Sequence, residues 1–396
     1  MTPATGTRRD RLVTAMSALA DHEDALRRRI EVGLHQLSAV TVYSRAARRT
    51  PTLLLTVAGH EPSSISAVLA QHDINAPAGS FYAYEASRRL GLGEPGGVRI
   101  GGKVAAVEFE LVDVFTSTPY RGNSLTVFPD SAELNTAQMA RITGELRQFE
   151  SIFLSPSEPQ HCWQARIFDL FDELDFAGHP VIGAAAVLHH RHGGDETHRR
   201  WTMELASGAL TIETERRGPG AFRAVLPEMA ARFLGEAADV SREQVASWFS
   251  LLIGDLDTRL PLEVVSTGLR YLIVPVRNEA LARARISHRE LDVALAEVGA
   301  EYAYLLDADA GEGRHWNNDG VVEDAATGSA AGCVAGYLHR HGLLRDGHDT
   351  ELRQGRFMNR PSRISISARA IDGEVLVRVG GEVVLVGSGR LDVLPA

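Results

Sequence analysis

The chain is almost without lysine: Lys103 is the only one in 396 residues, and every other Lys/Arg position is arginine. Any chemistry that runs through a lysine Schiff base would have to use that single residue. Cysteine is nearly as scarce. Cys162 and Cys333 lie far apart and fit no metal-ligand spacing, so neither a zinc site nor a disulfide scaffold is expected. No apolar run reaches the roughly 20 residues needed to span a bilayer. The opening MTPATGTRRDRLVTAMSALADHEDAL lacks the continuous apolar stretch of a signal peptide. These absences lead us to expect a reducing, cytoplasmic location and no membrane partner. Positive charge is also in deficit, with a formal net charge of -10. A general nucleic-acid or anionic-membrane binder needs a basic face, so nucleic acid is not an expected partner.

Hydrophobic residues make up 44% and charged residues 23%, as in soluble globular proteins, and the length exceeds one ordinary core. Leu12, Met16, Leu19, Leu26, Ile30, Leu34 and Leu37 recur at helical spacing and predict a helix over 9–37. Short strands are expected at Val40–Tyr43 and Thr52–Val57. A helix should open at Pro62, and another should run over Phe81–Leu90 until Gly91 stops it. Gly101-Gly102 marks the expected boundary. Beyond it, β-rich runs (105–115, 124–128, 151–154, 163–168) alternate with helices at Ala137–Leu146 and Pro180–His190. A second half repeats the mixture: strands at 264–266, 271–276 and 302–306, then a helix from about Thr327 to His341. Further strands follow at 363–368, 374–379 and 383–386. Mixed strands with Ala-rich helices predict an α+β protein of two similar lobes, preceded by a small α/β N-terminal domain. The expected divisions are 1–103, 104–228 and 229–396.

An internal echo supports the two lobes. Ala177-Gly178-His179-Pro180-Val181-Ile182-Gly183-Ala184-Ala185-Ala186 has a counterpart in Thr327-Gly328-Ser329-Ala330-Ala331-Gly332-Cys333-Val334-Ala335-Gly336, and each segment continues into a basic cluster and a glycine. Helices of such small residues allow close backbone approach and suit the inside of a strongly curved sheet. The clusters His189-His190-Arg191-His192 and His339-Arg340-His341 are read as solvent-facing helix ends, where cations are favoured, rather than as zinc ligands.

The two helix starts carry the chemistry. A helix N-terminus offers free N–H groups and partial positive charge, so two of them facing one cleft would hold a small carboxylate. Each remaining candidate also has a plainer reading. Glycines can simply start helices, Asp324 can simply cap one, and a lone histidine such as His179 is more often structural. Glu150, between a helix and the apolar strand Ser151-Ile152-Phe153-Leu154, would have its pKa raised toward that of a useful base.

Taken together, these pieces resemble the phenazine-biosynthesis PhzF family. The resemblance rests on Asp113-Val114-Phe115-Thr116, Gly122-Asn123, Phe176-Ala177-Gly178-His179-Pro180, Ser266-Thr267-Gly268-Leu269, Glu323-Asp324 with Ala326-Thr327-Gly328-Ser329-Ala330, and Arg360-Pro361-Ser362, occurring in that order over about 105–393. It implies a diaminopimelate epimerase-like pair of lobes, each a curved sheet or barrel around a central helix. It also implies a homodimer without a cofactor, acting as an isomerase. By position Glu150 matches the catalytic glutamate, and His179 and Asp324 match its supporting polar residues. Asn123, Gly178, Thr327, Gly328 and Ser329 match positions near the substrate. Epimerases of this fold use two cysteines, which here are replaced by Glu150 and Asp324. Phe149, where the family has a small polar residue, would reshape the pocket.

The first hundred residues are similar instead to the small C-terminal domain of cysteine-desulfurase-like pyridoxal-phosphate enzymes, through Arg49-Thr50-Pro51-Thr52, Val57-Ala58-Gly59-His60, Gly79-Ser80-Phe81 and Arg89-Leu90-Gly91-Leu92. The large phosphate-binding domain of those enzymes is missing and Lys103 falls past the matched segment, so this part is not expected to bind the cofactor. The expected function is a proton-transferring isomerase acting on a small, cyclic carboxylate in secondary metabolism. The alternative is a non-catalytic or regulatory module that uses the same cleft.

Overall fold

A computed structural model describes residues 24–46, 52–70, 74, 76–81, 84–101, 107–157, 162–277, 279–391 and 394–395. The expected helical segment 9–23, Lys103, and Gly102 of the expected boundary lie outside these. The chain divides into two compact units, Met1–Ala106 with Asp392–Ala396, and Val107–Leu391.

In the first unit the helix runs over 24–35. Four strands pair antiparallel in the order Val40–Val42, Thr52–Val57, Gly97–Gly101, Ala78–Gly79. Thr52–Val57 alternates as a one-sided strand should, with Leu53 and Leu55 inward. Leu55, Ala76 and Val98 form a small core with Leu34, Ile65 and Leu69 against them. The helices Pro62–Ala70 and Tyr84–Arg89 fall where the sequence predicts helix.

The second unit is two closed barrels that share one strand. The first runs Ala221–Val225, Gly208–Gly218, His198–Leu205, Cys162–Asp169, Glu150–Ser157, Asn123–Phe128 and Val107–Val114. It closes through Glu374–Leu391 back onto Ala221–Val225. The second runs from the same long strand through Met229–Glu236, Glu263–Ser266, Arg270–Pro275, Tyr302–Asp307, Glu312–Arg314, Thr350–Gln354 and Ser362–Ile371, and back to it. Closure leaves no sheet edge to protect. In each barrel a helix is the crossover between two parallel-running strands and fills the interior. Gly178–His192 links Cys162–Asp169 to His198–Leu205, and Gly328–Arg340 links Glu312–Arg314 to Thr350–Gln354. The internal echo in the sequence is therefore a repeat of these core helices. Val181, Ile182 and Ala184–Leu188 of the first are fully buried, as are Ala330, Ala331, Val334 and Ala335 of the second. This is the α+β pair of lobes expected.

Three expectations change. The separate strands at 374–379 and 383–386 are one strand. Gly380-Gly381, which reads as a break, is where the chain passes from one barrel to the other. A Cβ at Gly380 would come within 2.8 Å of Ala224 O, and one at Gly381 within 2.6 Å of the Phe115 ring. Residues after 380 therefore complete the first barrel, so the expected lobes 104–228 and 229–396 exchange this segment. The histidines after the core helices are also not simply solvent-facing. His189 is fully buried between Thr214 Oγ1 (2.7 Å) and Glu196 O (2.9 Å), while His339 and His341 lie against Asp346 and Glu263 (each 2.9 Å). Among the described residues no group of three or more metal-ligating side chains forms, and no helix is long and apolar enough to cross a membrane.

Candidate active site

The N-termini of the two core helices meet. A Cβ on Gly178 would lie 3.4 Å from the Gly328 Cα, and one on Gly328 3.5 Å from the Gly178 Cα. Glycine at both tips lets the backbones touch. The residues preceding them, Ala177 and Thr327, make no side-chain capping bond. The first-turn N–H groups of both helices thus open into one cavity of about 490 Å³. Glu150, Gly178, His179, Asp324, Thr327, Gly328 and Ser329 all line it, and so does Phe149.

Glu150 opens the strand Glu150–Ser157 just past Gln148 and Phe149, which follow Arg147, whose left-handed backbone ends the helix Thr136–Leu146. That abrupt stop swings the carboxyl inward. Glu150 is 8% exposed, and Oε2 lies 3.3 Å from His179 Nδ1 without hydrogen-bond alignment. Among the described residues, Glu150 Oε2 and His179 Nε2 are buried polar atoms with no hydrogen-bond partner. Such orphans are uncommon in folded proteins, and here two occur side by side. Burial, reinforced by the Asp324 and Asp169 carboxylates, pushes the Glu150 pKa well above the ordinary carboxylate range. Burial lowers His179 to about 4 against the opposing pull of Asp324, so its ring is neutral at physiological pH.

Asp324 is not a helix cap. Its Oδ2 accepts from Thr327 Oγ1 (2.7 Å), and Oδ1 accepts from Asn123 Nδ2 (2.7 Å) and Ala326 N (3.3 Å). Gln354 Nε2 donates to Asp324 O (2.8 Å) and to Thr327 Oγ1 (3.0 Å). Asn123 is placed differently from the expectation of substrate contact. It does not line the cavity, and its amide is spent on Asp324 and on Ala326 O (3.0 Å), with His179 Nδ1 3.4 Å away. It therefore ties the first lobe to the second directly behind the site.

The loop that delivers Asn123 is held by Arg360, which donates to Gly122 O (2.9 Å), Arg121 O (2.9 Å) and buried Asp113 (2.5 Å). This accounts for the Arg360-Pro361-Ser362 signature. Gly122 has φ +67°, and a Cβ there would sit 2.2 Å from Val114 O. Gly122→Ala is expected to cost about 2–4 kcal/mol from left-handed strain plus overpacking, read as a lower melting temperature.

Sequence reasoning missed the opposite wall. Tyr271, Tyr302 and His315 line the cavity with their rings packed together: the tyrosines stack at 5.5 Å, and His315 stands edge-on to each at 5.6 Å. Tyr271 OH and Ser329 Oγ are 2.8 Å apart. Thr267, Gly268 and Leu269 of the Ser266-Thr267-Gly268-Leu269 signature also line it. The strand Tyr271–Val276 is legible in the sequence, but which of its side chains reaches the other lobe is not. Neither cysteine is in the cavity. Cys333 is buried in the second core helix, its thiol pushed up to about 12, and Cys162 lies on a strand of the first barrel. A two-thiol epimerase site is therefore not built here.

The family model for phenazine biosynthesis-like proteins (PhzC-PhzF) matches residues 112–389. The trans-2,3-dihydro-3-hydroxyanthranilate isomerase of Pseudomonas chlororaphis is 32% identical over 293 residues, covering 72% of this chain and 98% of the relative. The enzyme of that name from Pseudomonas aeruginosa is 31% identical, covering 71% of this chain and 98% of the relative. The solved structure of a predicted epimerase from Pseudomonas aeruginosa superposes with TM-score 0.66 at 47% identity, covering 72% of this chain and 99% of that one. A Bacillus anthracis PhzF-family protein gives 0.64 at 25% identity, covering 72% and 99%. The chain belongs to the PhzC-PhzF family, and it is an enzyme of the isomerase class.

Proposed function

We propose that this isomerase moves one proton within a small, cyclic, unsaturated carboxylate of a biosynthetic pathway, without a cofactor, and that Glu150 carries the proton. The observation that supports this most directly is the buried, unpartnered Glu150 carboxyl beside two uncapped helix tips in one cavity. In this reading the ionised carboxyl takes a proton from an sp³ carbon next to the conjugated system. The C–H electron pair enters that system and the double bond shifts. Developing charge spreads to the substrate carboxylate, which the first-turn N–H groups of Gly178, His179, Gly328 and Ser329 receive. The new O–H of Glu150, whose hydrogen can exchange with solvent before it is delivered, then protonates a different carbon, so the carboxylate is regenerated and nothing is oxidised or reduced. Neutral His179 and the Asn123–Asp324–Thr327 network hold these groups in register.

The names of the curated relatives make trans-2,3-dihydro-3-hydroxyanthranilate the first substrate to try. The chain is closer to the predicted Pseudomonas aeruginosa epimerase (47%) than to that organism's dihydrohydroxyanthranilate isomerase (31%), which favours a related but different cyclic acid. A homodimer and a cytoplasmic location, the latter in keeping with free Cys162 and Cys333, complete the reading.

The test is turnover of that acid, and of a panel of cyclic unsaturated carboxylates, in D₂O. Expected is a product with a shifted double bond and deuterium at the carbon that gains the proton, followed by NMR. Binding without any C–H exchange across the panel would leave the cleft a binding module and sink the enzymatic role of Glu150.

A further inference from the structure

The geometry points to His315 as a specificity-determining contact: its Nε2 accepts a hydrogen bond from an N–H or O–H substituent on the substrate ring. This rests on the preceding reading that the cavity binds a small cyclic carboxylate. His315 lies in a short hairpin in which Trp316 pairs with Glu323, His315 O accepts from Asp324 N (3.1 Å), and Asn317 N donates to Val322 O (2.9 Å). Side chains alternate across such a ladder. One face carries the brace: Arg314 forms a bidentate pair with Glu323 (2.9 and 2.6 Å), donates to Leu281 O, and stacks on Trp316 (4.3 Å) and Phe357 (4.5 Å). The other face turns His315 and Asp324 together toward the cavity.

The tautomer follows from the wall. His315 Nδ1 is 2.9 Å from Ala303 O, and a carbonyl can only accept, so Nδ1 carries the hydrogen. Nε2 is then a lone-pair acceptor on a residue that lines the cavity, with no protein hydrogen-bond partner among the described residues. Burial favours the neutral ring. The two tyrosines clamp its plane, and a fixed acceptor costs little reorganisation when a donor arrives. A site built to receive a donor discriminates strongly against a ligand that lacks one, because a ring that fills the cavity displaces water from the acceptor and leaves it unpaired.

The test uses stable aromatic probes and the full chain. Dissociation constants for 3-hydroxyanthranilate and benzoate, which share the carboxylate and ring but differ in donors, are measured for wild type, His315→Phe and His315→Gln. Phe keeps the ring packing without the acceptor, whereas Gln places an amide oxygen near the Nε2 position. Expected is a preference of wild type for 3-hydroxyanthranilate of about tenfold or more. That preference should vanish in His315→Phe through loss of the substituted acid alone, with benzoate unchanged, and should return in large part in His315→Gln. A preference that survives in His315→Phe, or equal losses for both acids, overturns the role of His315 and leaves the cleft reading standing. Failure of wild type to bind either acid refutes the cleft reading itself, and the role of His315 with it.

Discussion

Glu150→Gln is expected to lower kcat/KM by at least ~100-fold, the lower end of what a positioned general acid–base group contributes, while the protein folds normally. Gln keeps the shape and replaces the ionisable carboxyl by an amide that cannot act as a base. The stability consequence has a definite sign. The carboxyl of Glu150 is pushed above its ordinary range by burial and by Asp324 and Asp169. A raised pKa lends stability only while the group is protonated. That contribution is complete below the ordinary carboxylate pKa and is lost as pH rises through the raised value. The Gln variant has nothing to lose, so its melting temperature should exceed that of wild type by a margin that widens with pH. Wild-type kcat/KM should rise with pH through the same raised value, because the base must be ionised to act. His179, lowered to about 4, is already neutral across that window and adds no second rise. An active Gln variant would remove Glu150 from the mechanism, and a variant less stable at every pH would mean that burial does not raise its carboxyl.

Asp324→Asn is the second large effect: a fall in kcat of about 10–100-fold together with a stability loss of about 1–3 kcal/mol, measured by steady-state kinetics and thermal unfolding. The carboxylate accepts on both oxygens, from Asn123 and Ala326 on one and from Thr327 on the other. An amide has one acceptor. Whichever way it is turned, one buried donor loses its partner, and Thr327 Oγ1 already accepts from Gln354. Asp324 also helps to raise Glu150. Removing its charge should therefore move the rising limb of the pH profile to lower pH. An unmoved limb would mean that the two carboxyls are not electrostatically coupled, and that the cavity closes differently from the structure described.

The helix–strand pattern of the second unit was mostly readable because its elements are strongly periodic or compositionally plain. Gly178–His192 and Gly328–Arg340 announce themselves by small residues. Glu150 stands out as a carboxylate at the head of an apolar strand, just past the end of a helix. The strands between 198 and 236 have no counterpart among the sequence expectations, since the charged side chains on the outer faces of His198–Leu205 and Gly208–Gly218 mask the apolar inner positions. Gly380-Gly381 misled for the opposite reason. Glycine that permits a barrel-to-barrel crossing is indistinguishable, in one dimension, from glycine that ends a strand.

Composition and motif order by themselves determined that two small-residue helices lie at the centres of the lobes, and they leave a carboxyl-based site, rather than a thiol- or lysine-based one, as the one proposed. Those are properties of which side chains exist and of how closely their backbones can pack. Only the tertiary structure decided that Asn123 braces Asp324 instead of facing the cavity, that one strand completes both barrels, and that Tyr271, Tyr302 and His315 form the opposing wall. Each of these depends on contacts between residues far apart in the chain, and local periodicity carries no information about which distant surface a side chain will meet.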